Sequence, residues 1–307
     1  MNTIRELSYT AVLTSFNAEE TLKRAVFSIL EQGLEAKQIF IIDDASLDNS
    51  LEVANNLSQL DQRISVISND CNQGQSFSRN LGASLSSSDF VVFFDDDDFS
   101  DPCRAAEHSR MFRGGAAISF VSSVIDYSNG YVAPATNSNF AGPIKIEELT
   151  QILLLGKDGK NKLKYLVPAS TMAVTTKAFK EFGGFDPTLR RLEDVDLAIK
   201  FAQNNQVFAF SEKNLVTRFS TRSADKGSGI DMKYEEVLLR RYREFFSEIH
   251  FSHSLIHCRT RQLYFSKKIG LLFWHLLRNP RYSFRVLFRE RIAFGRIVHD
   301  LRRRFSL

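Results

Sequence analysis

The stretch Phe90-Val-Val-Phe-Phe94-Asp95-Asp-Asp-Asp98 decides the fold. Five consecutive apolar residues bounded by polar sequence are too short for a helix and read as a strand buried on both faces. Four carboxylates follow directly, so they leave the strand at its C-terminal end, the edge at which open α/β sheets bind their ligands. Three similar runs precede it, at 9–13, 39–42 and 64–67, with segments of helical apolar spacing between them. This alternation is the signature of βαβ units, so the expected class is α/β with a mostly parallel sheet flanked by helices. The first helix has a start signal of its own. Asn17 is placed to cap it, Glu20 to return the bond, and Ala25, Ile29 and Leu30 to face the sheet.

After Phe94 the pattern loosens. Residues 117–124, 171–175, 207–210 and 216–219 read as further strands with longer connections, and 156–164 and 223–229 read as mobile loops. The expected organisation is a domain over 1–230, with halves 1–102 and 103–230, and a helical extension over 231–307. Within that extension 234–246, 255–277 and 284–305 carry helical apolar spacing, and Pro280 separates the last two.

Composition narrows the classes. The 307 residues are 43% hydrophobic and 25% charged, enough for a sizeable core and unlike a disordered or low-complexity chain. Cys71, Cys103 and Cys258 form neither a metal-ligand pattern nor a disulfide framework, which fits a reducing, cytoplasmic compartment. No signal-peptide pattern opens the chain, and no apolar run approaches the roughly 20 residues of a membrane span. The net charge of +4 hides an asymmetry: residues 231–307 hold 17 Lys/Arg against 7 Asp/Glu. The part before them is acidic overall, so the two parts are expected to do different jobs.

Side chains two apart on an extended chain share a face, so Asp95 and Asp97 converge while Asp96 and Asp98 turn away. Two carboxylates on one point suit a hard divalent cation, Mg²⁺ or Mn²⁺, which keeps positions open for phosphate oxygens. The alternative is a solvated acidic turn capping the helix after Pro102. Asp43 and Asp44 end the second strand in the same way. A carboxylate there accepts hydrogen bonds from a ribose or a base, or serves only as a turn residue. Asn72-Gln-Gly74 with Ser78-Arg79-Asn80-x-Gly82 reads as a glycine turn opening a helix that offers Arg79 to phosphate or base edges. Gly183-Gly-Phe-Asp186 is followed by Glu193-Asp194 at an apparent helix N-terminus, where the dipole favours an ionised carboxylate. That suits a general base, and equally a plain cap. No dinucleotide fingerprint and no phosphate-loop Gly-Lys-Ser/Thr is present.

Taken in order, with Leu13-Thr14-Ser-Phe16-Asn17 at the front, these strings resemble family 2 glycosyltransferases from about Ser8 to Phe201. The resemblance implies a GT-A type, Rossmann-like fold and a nucleotide-diphospho-sugar donor, a UDP-sugar first among them. It implies transfer with inversion to a hydroxyl of a glycan or lipid-linked acceptor, in cell-surface polysaccharide synthesis. Matching positions make Thr14, Phe16 and Asp44 nucleoside contacts and Arg79 a nucleotide contact, with Asp96 facing the ribose. Asp95 and Asp97 become metal ligands, and Asp194 the catalytic base with Glu193 beside it. Many relatives continue with an Arg-x-His-like string; this chain has Arg218-Phe-Ser-Thr-Arg222, which leaves Arg222 or Lys226 to meet the diphosphate. The missing histidine keeps open a catalytically silent nucleotide-sugar-binding or scaffold protein. A sugar-nucleotide-forming nucleotidyltransferase would carry a glycine- and lysine-rich triphosphate loop, which is not seen near the N-terminus.

Outside the resemblance, Arg and Lys interleave with Phe, Leu and Trp274 over 231–307. This pattern fits helices lying on an anionic membrane surface at the inner face of the cell membrane, or helices packed on the catalytic domain or a second subunit. No nucleic-acid-binding motif accompanies the charge, so no nucleic-acid partner is expected.

Overall fold

The structure is a computed structural model that describes residues 6–127, 131–155, 165–219, 228–265 and 268–279. It contains two compact units, Met1–Thr221 and Arg222–Leu307.

The first unit is built on β1 (Tyr9–Ser15), β2 (Gln38–Asp43), β3 (Ile64–Ser68) and β4 (Phe90–Asp95), linked by α1 (Leu22–Leu30), α2 (Ser50–Ser58) and α3 (Gln75–Ser84). These strands are parallel in the order β3-β2-β1-β4. β1 is buried along its whole length, as its apolar Ala11–Leu13 centre, covered on both faces, requires. The chain steps outward from β1 to β2 and β3, then returns to place β4 on the other side of β1. That reversal is a topological switch point, and the crevice beyond it lies between the C-terminal ends of β1 and β4. α3 packs so closely on β1 that a Cβ at Gly82 would stand 2.6 Å from Val12 Cγ1.

Beyond β4 come β5 (Phe99–Ser100), α4 (Arg104–Arg113), β6 (Ile118–Asp126), β7 (Val132–Ala135), β8 (Phe140–Pro143) and α5 (Ile146–Leu155). They are followed by β9 (Met172–Thr175), α6 (Thr176–Glu181), α7 (Glu193–Gln203) and β10 (Val207–Phe219). β9 lies antiparallel between β4 and β6, and β6 runs parallel to β10, so the sheet is parallel in its first half and mixed in its second. The two strands expected at 207–210 and 216–219 are one. Register shifts around Asn214 bulge the polar Ser211–Asn214 segment without ending the ladder.

The start signal of α1 is also read differently. Thr21 is its N-cap and makes no side-chain cap bond. Asn17 stands in the left-handed region at φ 52°, and its Oδ1 accepts from the Leu47 amide at 2.8 Å, tying the loop after β1 to the loop after β2. A long-range partner took the side chain that local spacing assigned to the helix. Ala25 and Ile29 are buried, and Leu30 packs against the core, as expected.

Glu107 on α4 ties that helix to the bulge in β10. Its carboxylate accepts from Arg110, from Ser211 Oγ at 2.9 Å and from Lys213 Nζ at 2.8 Å. Burial opposes ionisation, but these bonds outweigh it and hold the carboxyl at about 2, below its ordinary 4.5. A depressed folded pKa stabilises fully above the unfolded value, and this stability is lost as pH falls from about 4.5 through about 2. Arg110 and Lys213 are largely exposed, so the contribution at pH 7 is discounted to about 1–2 kcal/mol. Urea unfolding of Glu107→Gln should show that deficit at pH 7 and a smaller one at pH 3; an equal deficit at both would rule the ionised network out.

The second unit contains α8 (Ser228–Arg241), a short 3₁₀ turn at Arg243–Phe245, α9 (Glu248–Phe265) and α10 (Ile269–Arg278), with α9 packed against α8 and α10. The helix expected over 255–277 is divided between α9 and α10. The loop expected over 223–229 overlaps α8 at Ser228 and Gly229; its remainder, 156–164 and 284–305 lie outside the described residues. Among the described residues, no helix is long and apolar enough to cross a membrane.

Candidate active site

The site begins where β1 and β4 end side by side, with Thr14 paired to Asp95. Thr14 is buried and the Phe16 ring just beyond it is exposed. The Phe16 amide donates to Asp96 Oδ2 at 2.9 Å, so Asp96 joins the opening loop to the acidic run. Burial, with the charges of Asp97 and Asp95 adding to it, raises the Asp96 carboxyl to about 7 against the pull of that amide.

The chain turns immediately after Asp95, and the Asp98 amide reaches the Asp95 carbonyl at 3.4 Å. The strand alternation therefore stops, and Asp98 swings round to face Asp95 and Asp97 instead of turning away. One carboxylate oxygen from each of Asp95, Asp97 and Asp98 lies within 4.8 Å of the others. Asp98 is buried, and its Oδ2 has no hydrogen-bond partner. Burial and the charges of Asp95 and Asp97 push its carboxyl up to about 8, with Arg218 opposing. An all-oxygen set with an unsatisfied buried oxygen is what a hard divalent cation takes, so the residues present fit Mg²⁺ or Mn²⁺.

Two arginines back the run, Arg24 half-buried and Arg104 buried. Arg24 of α1 donates from Nη2 to the Asp97 carbonyl at 2.7 Å and stacks on Phe219, its Cζ 4.0 Å from the ring centroid. Arg104 of α4 donates to the Phe93 carbonyl at 2.6 Å and to Ser100 Oγ at 2.8 Å, behind Asp95 and Asp98. Neither was among the residues singled out in the sequence. Arg104 had a signal, because it shares its helix face with His108, Met111 and Phe112 and so points inward.

At the end of β2, Asp43 accepts from the Ser46 amide and hydroxyl and shapes the turn. Asp44 accepts from Asn69 Nδ2 at 2.8 Å, from the Gln73 amide at 2.9 Å and from the Gly74 amide at 2.7 Å. It therefore organises the 69–74 loop. Gly74 has φ 89°, and a Cβ there would come within 2.8 Å of Arg190 Nη1, so the turn requires glycine.

Arg79, expected at the nucleotide, is a buried hub. It is 2% exposed and donates from Nη2 to Asp95 Oδ1 at 2.7 Å and from Nη1 to Glu193 Oε1 at 2.8 Å. One turn into α3, it bridges the end of β4 and the start of α7. Its neighbours act with it. Ser76 Oγ donates to the Leu189 carbonyl, and Asn80 bonds both the amide and the carbonyl of Phe185 at 2.9 and 2.8 Å. Together they form a strut that carries the 183–192 segment.

That segment delivers the acidic pair. Leu192 is left-handed at φ 63°, and α7 starts directly after it with Glu193 and Asp194. Asn17, Ala45 and Leu192, three of the non-glycine residues with positive φ, stand in loops around this crevice, where strain of this kind concentrates. Glu193 is committed to Arg79; burial and the Asp194 charge raise its carboxyl to about 7 despite that partner. Asp194 accepts from the Val195 amide at 2.8 Å and the Ala169 amide at 3.3 Å. Burial raises its pKa, with those amides and Arg79 opposing. Arg222 and Lys226 lie outside the described residues.

Residues 10–179 match the sequence profile of glycosyl transferase family 2. The chain belongs to this family. An uncharacterized glycosyltransferase of Haemophilus influenzae is 27% identical over 199 residues, 62% of this chain and 61% of that protein. Another from the same organism is 34% identical over 88 residues, 29% of this chain and 35% of that protein. The cholesterol galactosyltransferase of Borreliella burgdorferi is 33% identical over 95 residues, 31% of this chain and 26% of that protein. The matched region thus spans less than two thirds of these family 2 relatives. Among solved structures, S. aureus TarS 1–349 in complex with UDP-GlcNAc superposes with a TM-score of 0.61 at 16% identity, covering 92% of this chain and 80% of TarS. At that identity the likeness establishes the GT-A fold.

Proposed function

We propose that this family 2 chain is a metal-dependent, inverting glycosyltransferase. In this reading it moves a sugar from a nucleotide-diphospho-sugar to a hydroxyl of a glycan or lipid-linked acceptor in cell-surface polysaccharide synthesis. The observation that carries it is an oxygen-rich triad, Asp95, Asp97 and Asp98, tied through buried Arg79 to Glu193, whose chain neighbour Asp194 is a separate carboxylate outside those ion pairs. Inversion in one displacement needs two separated duties, a base on the acceptor side and charge stabilisation on the diphosphate side. Asp95, Asp97 and Asp98 would hold a Mg²⁺ or Mn²⁺ ion, which would supply positive charge at the leaving diphosphate. Asp194 accepts the proton of the acceptor hydroxyl as its oxygen bonds to the anomeric carbon and the bond to the diphosphate breaks. Glu193, paired to Arg79, positions Asp194.

Thr14, Phe16 and Asp96 line the donor side, with the exposed Phe16 ring placed to stack on a base. Asp44 shapes the adjoining loop and keeps acceptor capacity for a base N–H, since a carboxylate offers about four lone-pair sites. Arg222 or Lys226 meets the diphosphate. A UDP-sugar is the first choice of donor, supported by TarS structures with UDP and UDP-GlcNAc. A lipid-linked acceptor is supported by the name of a Campylobacter jejuni relative, GalNAc(5)-diNAcBac-PP-undecaprenol beta-1,3-glucosyltransferase. Residues 231–307 hold the chain on the inner face of the cell membrane.

Thermal shift with UDP, GDP, CDP and dTDP, each with and without Mn²⁺, tests the donor site. One nucleotide should raise Tm by several degrees in the wild type with Mn²⁺ and leave Asp97→Ala unmoved; a ligand at a hundred times its Kd stabilises by about 2.7 kcal/mol. Stabilisation by none of the four would overturn the donor reading.

A further inference from the structure

α10 is apolar on two faces. Leu272 is buried, and His275 Nε2 lies 3.5 Å from the Ile256 carbonyl of α9, so that side of the helix packs on α9. The other side carries Leu271, Trp274 and Leu277 at 59%, 55% and 61% exposure. Residues three apart drift by about 60° at each step, so the three form one stripe about 120° wide. Single exposed apolar residues are ordinary, but a contiguous stripe of three large ones marks a contact surface. Exposed cations stand at both ends. Lys268 precedes the helix, and the Arg278 Cζ lies 3.5 Å from the Trp274 ring centroid.

The surrounding sequence identifies the contact. No Asp or Glu occurs between Glu248 and Glu290, and residues 249–307 hold 13 Lys/Arg against 2 acidic residues. A second copy of the chain would bring the same excess of positive charge against itself, which opposes association. An anionic bilayer offers the opposite sign and an apolar layer beneath it. α10 rises only about 15 Å over its ten residues, half the hydrocarbon thickness, so it lies in the plane of the surface. Trp favours that depth, where its ring is apolar and its N–H remains hydrated.

We infer that the Leu271–Trp274–Leu277 face of α10 inserts into the interface of an anionic lipid bilayer, with the flanking lysines and arginines on the headgroups. This deepens the membrane part of the proposed function and is independent of the donor chemistry.

Trp274 is the single tryptophan of the chain, so its intrinsic fluorescence reports on this face alone. Intact protein is titrated with vesicles containing phosphatidylglycerol, with pure phosphatidylcholine vesicles, and with vesicles whose acyl chains are brominated. A blue shift and bromolipid quenching are expected with the anionic vesicles only, weakened by high salt as counterions screen the headgroups. Leu271→Glu/Leu277→Glu should weaken binding by about tenfold or more, while the Tm response to nucleotide and Mn²⁺ is kept. No shift with anionic vesicles overturns the inference. So does a Trp274 shift that follows protein concentration without lipid and accompanies a dimer in light scattering, which would assign the face to a second copy. Loss of the nucleotide response with the lipid response intact would count against the donor reading alone.

Discussion

Asp194→Asn is expected to slow sugar transfer by about 10²–10⁴-fold, the range over which a positioned general base acts, while donor binding is retained. The reason is geometric. Asp194 is the member of the α7 pair not held by Arg79, and its two oxygens are oriented by the Val195 and Ala169 amides. Asparagine keeps the shape and one carbonyl oxygen but cannot take the acceptor's proton. Its amide group would also face the Ala169 N–H, donor against donor, so a stability deficit of about 1 kcal/mol should accompany the kinetic loss. Release of nucleoside diphosphate in the presence of acceptor measures the first, and urea unfolding the second. The two effects separate the roles, because a residue that merely caps α7 would cost stability and leave turnover per folded molecule unchanged. Turnover at the wild-type rate would move the base elsewhere. Glu193→Gln provides the contrast, weakening the Arg79 pair and so acting on stability before chemistry.

The residues that build the sheet were legible because strands buried on both faces are written as unbroken apolar runs. Residues 39–42 and 90–94 fall within β2 and β4 for that reason. The place of the acidic run at the sheet edge was legible because a strand must deliver whatever follows it there. The run's internal geometry was not. The two-residue period holds only while the chain is extended, and the turn after Asp95 brings Asp98 into the set that the period excluded. Charged and amide side chains were the least legible, since periodicity says which way a residue points and nothing about what it meets. Asn17 looked like a cap and became a tether to Leu47, and the ion pairs that Arg79 makes with Asp95 and Glu193 were not written in its spacing. Their partners are fixed by the tertiary fold: Arg79 meets Asp95 at 16 residues' separation and Glu193 at 114. The Ser-x-Ser-Arg-Asn spelling on α3 is the trace of that strut.

Arg79→Met should therefore be among the most destabilising single changes in the first unit. Removing one partner of a buried ion pair leaves the other charge uncompensated and costs about 3–5 kcal/mol. Here the remaining partners are two, Glu193 with a side chain 5% exposed and Asp95 at 28%. For a unit of this size such a loss lowers Tm by about 6–15 °C. The pair Arg79→Met and Glu193→Gln distinguishes a strut from two unrelated contacts. With Arg79 gone, Glu193 is a buried carboxylate without its counter-charge, so neutralising it as well relieves part of the damage. The double variant should then be about 1–3 kcal/mol more stable than the sum of the single losses predicts. Additivity within about 0.5 kcal/mol, read from urea unfolding of all four proteins, would mean that Arg79 does not hold α7 through Glu193. The same coupling ties stability to chemistry. The guanidinium that neutralises Glu193 also grips Asp95, so Arg79→Met frees the N-terminus of α7 from the acidic triad and should lower transfer even in molecules that remain folded.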